Sequence, residues 1–141
     1  MKEDKTFLDT NILVYAHDVS AGKKHEIAKN IVLELWNSWN GLISTQVLQE
    51  FFVIVTKKIQ IPIEINTTKE IINSLLKWDV VINDGKTILE AIEIHKKYKY
   101  SFWDSMIIQS AINGGAEILL SEDLPDGEIV EGIKIKNPFT L

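Results

Sequence analysis

Residues 7–14 read Phe7-Leu8-Asp9-Thr10-Asn11-Ile12-Leu13-Val14. A short apolar run ends in the carboxylate Asp9, two small polar residues follow, and apolar residues then resume. This pattern predicts a buried strand that stops at Asp9, followed by a helical turn that Thr10 or Asn11 caps. If the strand is central and parallel, Asp9 lies on the sheet edge where open α/β folds bind ligands. On this stretch alone, a plain helix-capping role explains Asp9 equally well.

The composition is that of an ordinary globular protein. The chain has 141 residues, of which 45% are hydrophobic and 25% charged, and it contains no cysteine. A disulfide framework and zinc–thiolate or thiol chemistry are therefore excluded. No apolar run approaches the roughly 20 residues that span a bilayer, and the charged start at residues 1–5 is unlike the core of a signal peptide. We expect one domain over residues 1–141, with a cytoplasmic location and no membrane association.

The charge balance is acidic. The formal net charge is −5, and all 15 basic residues are lysines. Nucleic-acid binders are usually basic, so this balance argues weakly against that class, although a site built of several carboxylates would hold much of the negative charge. Any phosphate contact must come from lysines or backbone amides, because the chain offers no bidentate guanidinium.

Strand and helix patterns alternate along the chain. Strands are predicted near 42–44, 79–82, 117–120 and 133–135, and helices over 23–40, 45–60, 86–98 and 102–113, with another that is capped at 66–68 and runs to 76. Gly41 is predicted to stop a helix, and 133–135 alternates as an edge strand does. Ile88, Leu89, Ile92 and His95 are expected to face inward. The alternation predicts an α/β fold with a mainly parallel sheet.

This topology brings four acids to one edge of the sheet: Asp9, Glu50, Asp104 and Asp123. Asp9 and Asp123 follow strands that end there. The helix of Asp104 runs directly into the next strand, so its first turn lies at the same edge. Glu50 lies about five residues down its helix, roughly 7–8 Å, and its side chain leans back toward the helix start.

Clustered carboxylates predict a site for a hard divalent cation. Like charges at close range raise each other's pKa, and a cation relieves that repulsion. Mg²⁺ prefers oxygen ligands and needs only one or two direct carboxylates, and Mn²⁺ fits the same oxygens. Such an ion orients and activates a water and neutralises charge on a phosphodiester.

Each acid also has a plainer interpretation. Asp104 lies three residues after Ser101, as in a capping box, although it shares a helix face with apolar residues. Glu50 lies at the margin of its apolar arc, where a glutamate is usually solvated. Asp123 lies in a polar loop in which Glu122 competes for the same role. The joint pattern, rather than any single acid, predicts the site.

Four stretches in order resemble the PIN-domain family, and most of all the VapC-type toxin ribonucleases of type II toxin–antitoxin pairs. They are Leu8-Asp9-Thr10-Asn11-Ile12-Leu13, Ser44-Thr45-Gln46-Val47-Leu48-Gln49-Glu50-Phe51, Phe102-Trp103-Asp104-Ser105 and Leu120-Ser121-Glu122-Asp123-Leu124. The resemblance covers essentially the whole chain. It implies a three-layer α/β/α sandwich, magnesium-dependent cleavage of RNA, a homodimer and a cognate antitoxin partner.

The resemblance also implies roles for particular residues. The catalytic, metal-holding acids of the family fall on Asp9, Glu50, Asp104 and Asp123. Its small polar residue after the first acid falls on Thr10 or Asn11, and its hydroxyl before the last acid falls on Ser121. The chain departs from the expected pattern in having no arginine for the RNA-facing surface.

Candidate RNA contacts lie next to the Asp104 helix. Lys96, Lys97 and Lys99 form the densest basic patch, although lysines also suit the end of a helix. Trp103 adjoins Asp104 and has a ring that can stack on a base. We predict that these four residues contact RNA.

Other functions fit the sequence less well. A phosphohydrolase with Asp9 as nucleophile is expected to carry a second acid two residues later, where this chain has Asn11. A housekeeping PIN-domain nuclease that processes RNA, and a PIN-like RNA-binding or scaffold module without catalysis, remain as alternatives.

Overall fold

A six-stranded sheet forms the centre of the computed structural model, which describes residues 4–140. Its strands are β1 (Thr6–Leu8), β2 (Gly41–Ser44), β3 (Asp79–Val81), β4 (Ile118–Leu120), β5 (Ile129–Val130) and β6 (Ile133–Lys136). Their order is β3-β2-β1-β4-β6-β5, and every pairing is parallel except that of β5 with β6. Residues 1–3, which belong to the predicted charged start, lie outside the described residues.

Within residues 4–140, six α-helices accompany the sheet. They are α1 (Thr10–His17), α2 (Lys23–Ser38), α3 (Thr45–Lys57), α4 (Ile65–Leu75), α5 (Gly85–Tyr98) and α6 (Phe102–Asn113). Helix α1 packs against α2 and α3, and α5 packs against α6. None of the helices in residues 4–140 combines the length and the apolar character needed to cross a bilayer. The predicted α/β/α class with a mainly parallel sheet is confirmed.

Central strands carry the core. Phe7 and Leu8 of β1, Leu42 of β2 and Leu119 of β4 are almost or completely buried, as expected for parallel strands covered on both faces. Phe7 is in register with both Leu42 and Leu119. The carboxyl ends of these three neighbouring strands therefore meet at one edge of the sheet.

Residues 133–135 do not form the edge of the sheet, contrary to the sequence prediction. Strand β5 lies outside β6 and pairs with it in antiparallel register. A tight turn through Glu131 and Gly132, with φ angles of 49° and 87°, joins the two strands. Since β5 has only two residues, its alternation is too short to be recognised in the sequence.

Gly41 is not a helix stop. Helix α2 ends at Ser38, and Trp39 closes it in the left-handed region with φ 60°. Gly41 instead opens β2, where a Cβ atom would lie 2.5 Å from the ring of Trp78. Glycine is required there because the Trp78 ring packs directly on the backbone.

The inward face of α5 is also different from the prediction. Ile88, Leu89 and Ile92 are exposed, and His95 is exposed too. The buried residues are Thr87, Ala91 and Ile94. The small side chains of Thr87 and Ala91 lie inward because α5 packs closely on α6. The Thr87 hydroxyl accepts a hydrogen bond from Asn113 of α6 at 3.1 Å. The predicted cap at 66–68 is wrong as well, since α4 begins at Ile65.

Candidate active site

Asp9 links strand β1 to helix α1. It is itself the N-cap of α1, in place of the predicted Thr10 or Asn11, because its Oδ1 accepts the Thr10 N–H at 2.7 Å. Its Oδ2 accepts the Ser121 hydroxyl at 2.8 Å. Both carboxylate oxygens are therefore held, and the capping role and a position at the sheet edge coexist in one residue.

Burial makes ionisation of Asp9 costly. The side chain is only 7% exposed, and this burial is the main reason why its pKa rises from 3.8 to about 6. The negative charges of Asp104 and Asp123 raise the pKa further, while the hydrogen bonds from Ser121 and Thr10 work against the rise. A shifted carboxyl group in a cleft marks a candidate functional site.

Ser121 connects Asp9 to the loop that carries Asp123. It is fully buried, and its Oγ accepts the backbone N–H groups of Asp123 and Leu124, each at 3.2 Å. These bonds use both acceptor positions of a hydroxyl, so its hydrogen is directed to Asp9. Ser121 thus joins the carboxylate of Asp9 to the backbone of the loop that carries Asp123.

Asp123 faces the same region as Asp9. Its Oδ2 accepts a hydrogen bond from Asn11 Nδ2 at 3.2 Å. Burial raises the pKa of Asp123, the charges of Glu122 and Asp104 raise it further, and Lys24 lowers it. Asn11, one of the two small polar residues after Asp9, thus orients the last acid.

Asp104 and Glu50 complete the group from two helices. The N–H of Asp104 donates to the Oγ of Ser101, the N-cap of α6, at 3.1 Å. This bond uses only the backbone of Asp104, so the cap leaves its carboxylate available. Glu50 accepts the Thr10 hydroxyl at 2.5 Å, which fixes α3 to the start of α1.

All four acids line one cleft of about 440 Å³. The rest of its lining is Thr10, Asn11, Gln46, Gln49, Val53, Ile54, Lys58, Trp103 and Ile107. No sequence pattern identified Gln46, Gln49 or Lys58. Gln46 precedes Glu50 by four residues and Lys58, the C-cap of α3, follows it by eight, and this spacing places both on the face of Glu50. Gln49 directly precedes Glu50, so helical spacing gives no signal for it.

The acids converge on the cleft without forming a closed cage. Within residues 4–140, no three Asp, Glu, His or Cys side chains are close enough together to hold a metal ion. At most two of these side chains in the described part of the chain therefore lie close enough together to share one ion.

Glu122 points to a different environment from Asp123. It accepts the Tyr15 hydroxyl at 2.5 Å and the Lys24 ammonium at 2.7 Å, and it is not part of the cleft lining. Lys24 also lies over the rings of Tyr15 and Phe139, at 5.0 and 5.5 Å from their centroids. Glu122 thus links its loop to α1 through Tyr15 and to α2 through Lys24.

The four predicted RNA contacts separate into two groups. Lys96 and Lys97 pair with Glu93 and Glu131, at 3.4 and 2.9 Å, and Lys99 closes α5 with φ 66°. These lysines do not line the cleft, whereas Trp103 does and is 62% exposed. Their contact with RNA stays a prediction.

Comparison with known proteins identifies the family. The PIN domain family model matches residues 6–124, whereas no curated protein matches significantly. A toxin–antitoxin complex from Klebsiella pneumoniae superposes with a TM-score of 0.69 and 20% identity, covering 96% of this chain and 99% of that one. VapC20 from Mycobacterium tuberculosis, described as a toxin that cleaves the sarcin–ricin loop, superposes with a TM-score of 0.64 and 18% identity, covering 84% of this chain and 91% of that one. DNA-bound VapBC from Salmonella typhimurium superposes with a TM-score of 0.65 and 19% identity, covering 96% of this chain and 99% of that one. The chain therefore belongs to the PIN domain family.

Proposed function

We propose that this protein is a magnesium-dependent endoribonuclease that hydrolyses RNA phosphodiesters, and that it is the toxin of a type II toxin–antitoxin pair. The observation that carries the proposal is the buried carboxylate of Asp9. Its pKa of about 6 reflects burial together with the charges of Asp104 and Asp123. Because burial and the neighbouring negative charges oppose the ionisation of Asp9, a cation bound beside it would be favoured.

The donor set fits Mg²⁺. Every candidate ligand is a carboxylate oxygen, which suits a hard cation that keeps several of its waters. Mn²⁺ would fit the same oxygens. Asp9 and Asp104 would hold the ion, with Asp123 and Glu50 in support. The bound ion would supply an activated water and neutralise charge on the phosphodiester.

Neighbouring side chains hold the acids in place. Thr10 has two roles, since its N–H binds Asp9 and its hydroxyl binds Glu50. Ser121 binds Asp9, and Asn11 binds Asp123. Because each of these three acids has a fixed partner, the site needs little rearrangement when a ligand arrives. Such preorganisation is a main source of catalytic power.

The RNA substrate and the partner are inferred by analogy with structural neighbours. One neighbour is described as a toxin that cleaves the sarcin–ricin loop, and others are toxin–antitoxin complexes. By the same analogy we infer a homodimer in the cytoplasm and a cognate antitoxin. An acidic cleft favours a basic segment of that partner.

The test is cleavage of a mixed-sequence RNA by the purified protein with Mg²⁺, with Mn²⁺ and with EDTA. We expect fragments only with the metals, and no fragments from Asp104→Asn. Cleavage in EDTA would overturn the metal proposal. Absence of cleavage with either metal would favour the non-catalytic RNA-binding module.

A second experiment separates a toxin from a housekeeping nuclease. Expression of the chain alone is expected to stop growth of the host. Co-expression with the product of a small adjacent gene is expected to restore growth and give a complex with suppressed cleavage. Harmless expression of an active nuclease would assign the housekeeping role.

A further inference from the structure

Gln46 is a buried polar side chain whose amide oxygen has no hydrogen-bond partner among the described residues. It is 6% exposed, it lines the cleft, and the Oε1 atom itself is buried. Such a group costs stability, because folding removes it from water without replacing the lost hydrogen bond. A buried amide oxygen without a partner, in the cleft that four acids line, indicates that a ligand completes its hydrogen bonding.

The cleft also contains a region that is uncharged. Val53 and Ile54 of α3 and Ile107 of α6 contribute apolar surface, and Trp103 remains 62% exposed. The Phe102 ring supports Trp103 edge-to-face, with the ring centroids 5.3 Å apart. A wide aromatic surface that is held in place yet exposed is suited to stacking on a planar ligand.

We propose that Gln46 and Trp103 form a subsite for one unpaired nucleobase next to the scissile phosphodiester. Trp103 stacks on the face of the base, and the Gln46 amide reads its polar edge. This inference rests on the proposed ribonuclease function and adds the specificity of the same cleft. Unpaired bases are what proteins read in RNA, because stacked duplex bases are inaccessible.

A nucleobase fits these residues better than the alternatives do. A ribose hydroxyl or a metal-bound water would satisfy the Gln46 amide, but neither has a planar apolar face for Trp103. An amide offers a donor and an acceptor side by side, which is how Gln pairs with the edge of a base. Rotation about the last side-chain torsion, which is soft, presents either end of the amide.

Gln46→Met tests whether the Gln46 amide recognises the edge of the base, because Met preserves the length of the side chain and removes the amide. Gln49→Met is the matched control, since Gln49 lines the same cleft on α3 but is exposed. Oligonucleotides that vary in one base beside the cut are compared for kcat/KM. Gln46→Met is expected to reduce the preference for the best base roughly tenfold, with Tm unchanged or higher. Gln49→Met should retain the preference.

Trp103 tests the stacking surface. Trp103→Ala is expected to lower kcat/KM roughly tenfold for every base alike, because stacking tolerates any base. Trp103→Phe should restore part of the rate.

Two results for Gln46→Met would overturn the proposed recognition of the base edge by the Gln46 amide. One is an unchanged base preference with an unchanged rate. The other is an equal loss of kcat/KM for every base, which would make a ribose hydroxyl or a metal-bound water the partner of the amide.

A binding measurement keeps this inference separate from catalysis. Titration with AMP, GMP, CMP or UMP is followed by NMR at the Gln46 side-chain amide and the Trp103 indole N–H, each assigned by its loss in the corresponding variant. Shifts at both signals support the subsite even if no RNA is cleaved. If neither signal moves while the wild type cleaves RNA, the subsite is wrong and the nuclease stands.

Discussion

Glu122 and Asp123 are neighbours in the chain but lie in opposite electrostatic surroundings. Glu122 has a cation at 2.7 Å, the ammonium of Lys24, and a hydroxyl donor from Tyr15. Within residues 4–140, the one hydrogen-bond donor to the carboxylate of Asp123 is the neutral amide of Asn11 at 3.2 Å. Burial and nearby acids raise the pKa of Asp123, and the more distant Lys24 lowers it. One acid is compensated by the fold, and the other adds to the repulsion in the cleft.

This difference separates charge that stabilises the fold from charge that, under the proposed function, would bind a ligand. Among the described residues that line the cleft, only Lys58 is basic, against four acids. The repulsion therefore lowers the stability of the protein without metal, as is common at functional sites. Neutralising Asp104 in the cleft and neutralising Glu122 should consequently have opposite effects on stability.

The largest expected effect is on catalysis. Asp104→Asn should reduce metal-dependent RNA cleavage by more than about 100-fold, because it removes a carboxylate from the cleft. Without metal, its Tm should equal or exceed that of the wild type, since repulsion falls. Mg²⁺ should raise the Tm of the wild type more than that of the variant, because binding to the native state stabilises it.

Asp79→Asn is the matched control for this substitution. Asp79 opens β3 and pairs with Lys5 at 3.6 Å, with 65% of its side chain exposed. The control should retain both cleavage and the response to Mg²⁺. If Asp104→Asn kept full activity, the metal-nuclease role of this residue would be wrong and Ser101 capping would be the better explanation of its position.

A second effect concerns pH and the protein without metal. The pKa of Asp9 is about 6 in the folded state against 3.8 for the ordinary group, so the native protein binds this proton more tightly than the unfolded chain. Stability from Asp9 is therefore fully present below about pH 4 and is lost as pH rises through about 6. The difference is on the order of 3 kcal/mol, measured by urea unfolding in EDTA.

Asp9→Asn isolates this contribution. The Thr10 N–H and the Ser121 hydroxyl each donate a hydrogen bond to one carboxylate oxygen of Asp9. Asn has an NH₂ group in place of one of these oxygens, so one of the two donors would face another donor. The variant therefore carries a loss that does not change with pH. The informative quantity is the slope of stability against pH between 4.5 and 7, which should be shallower in Asp9→Asn. Equal slopes would contradict the shifted pKa.

A smaller effect is expected in the compensated cluster. Glu122→Gln should destabilise the protein by about 1 kcal/mol, because it removes a charge-assisted bond, and the partly exposed Lys24 is screened by water. Glu93→Gln, which breaks an exposed pair with Lys96, should change stability little. If Glu122→Gln instead raised the free energy of unfolding in chemical denaturation, Glu122 would not be a stabilising charge, and the proposed difference between Glu122 and Asp123 would be wrong.

The sequence predicts the sheet edge well, because the deciding signals are local. Helix α6 begins and ends as expected, since Ser101 caps its start and Gly114 follows its end. The order of strands and helices then brings Asp9, Asp104 and Asp123 to one cleft. Such reasoning needs only periodicity, caps and the rules of parallel sheets.

Features that depend on distant partners escape the sequence. Lys24 pairs with Glu122, which lies 98 positions away, and no local pattern indicates that contact. The outward face of α5 is likewise unpredictable, because close packing on α6 favours Ala91 over the larger Leu89. Gln46 was missed since its burial without a partner becomes visible only when α3 is placed against the cleft.

The smallest expected effect compares lysines inside and outside the cleft. In an inactive Asp104→Asn background, Lys58→Gln should flatten the plot of log K for RNA binding against log salt by about 0.7, the value of one phosphate contact on a single strand. Lys57→Gln is the matched control, because the adjacent Lys57 is exposed but does not line the cleft. The triple substitution of Lys96, Lys97 and Lys99 by Gln tests the predicted contacts on α5. Each of these lysines that contacts RNA should flatten the slope by the same amount, up to about 2 in all, because the exposed ion pairs that Lys96 and Lys97 make with acids are weak. Fluorescence anisotropy of a labelled RNA measures all four slopes. A flatter slope in the triple variant and an unchanged slope in Lys58→Gln would place the RNA backbone on the α5 surface instead of in the cleft.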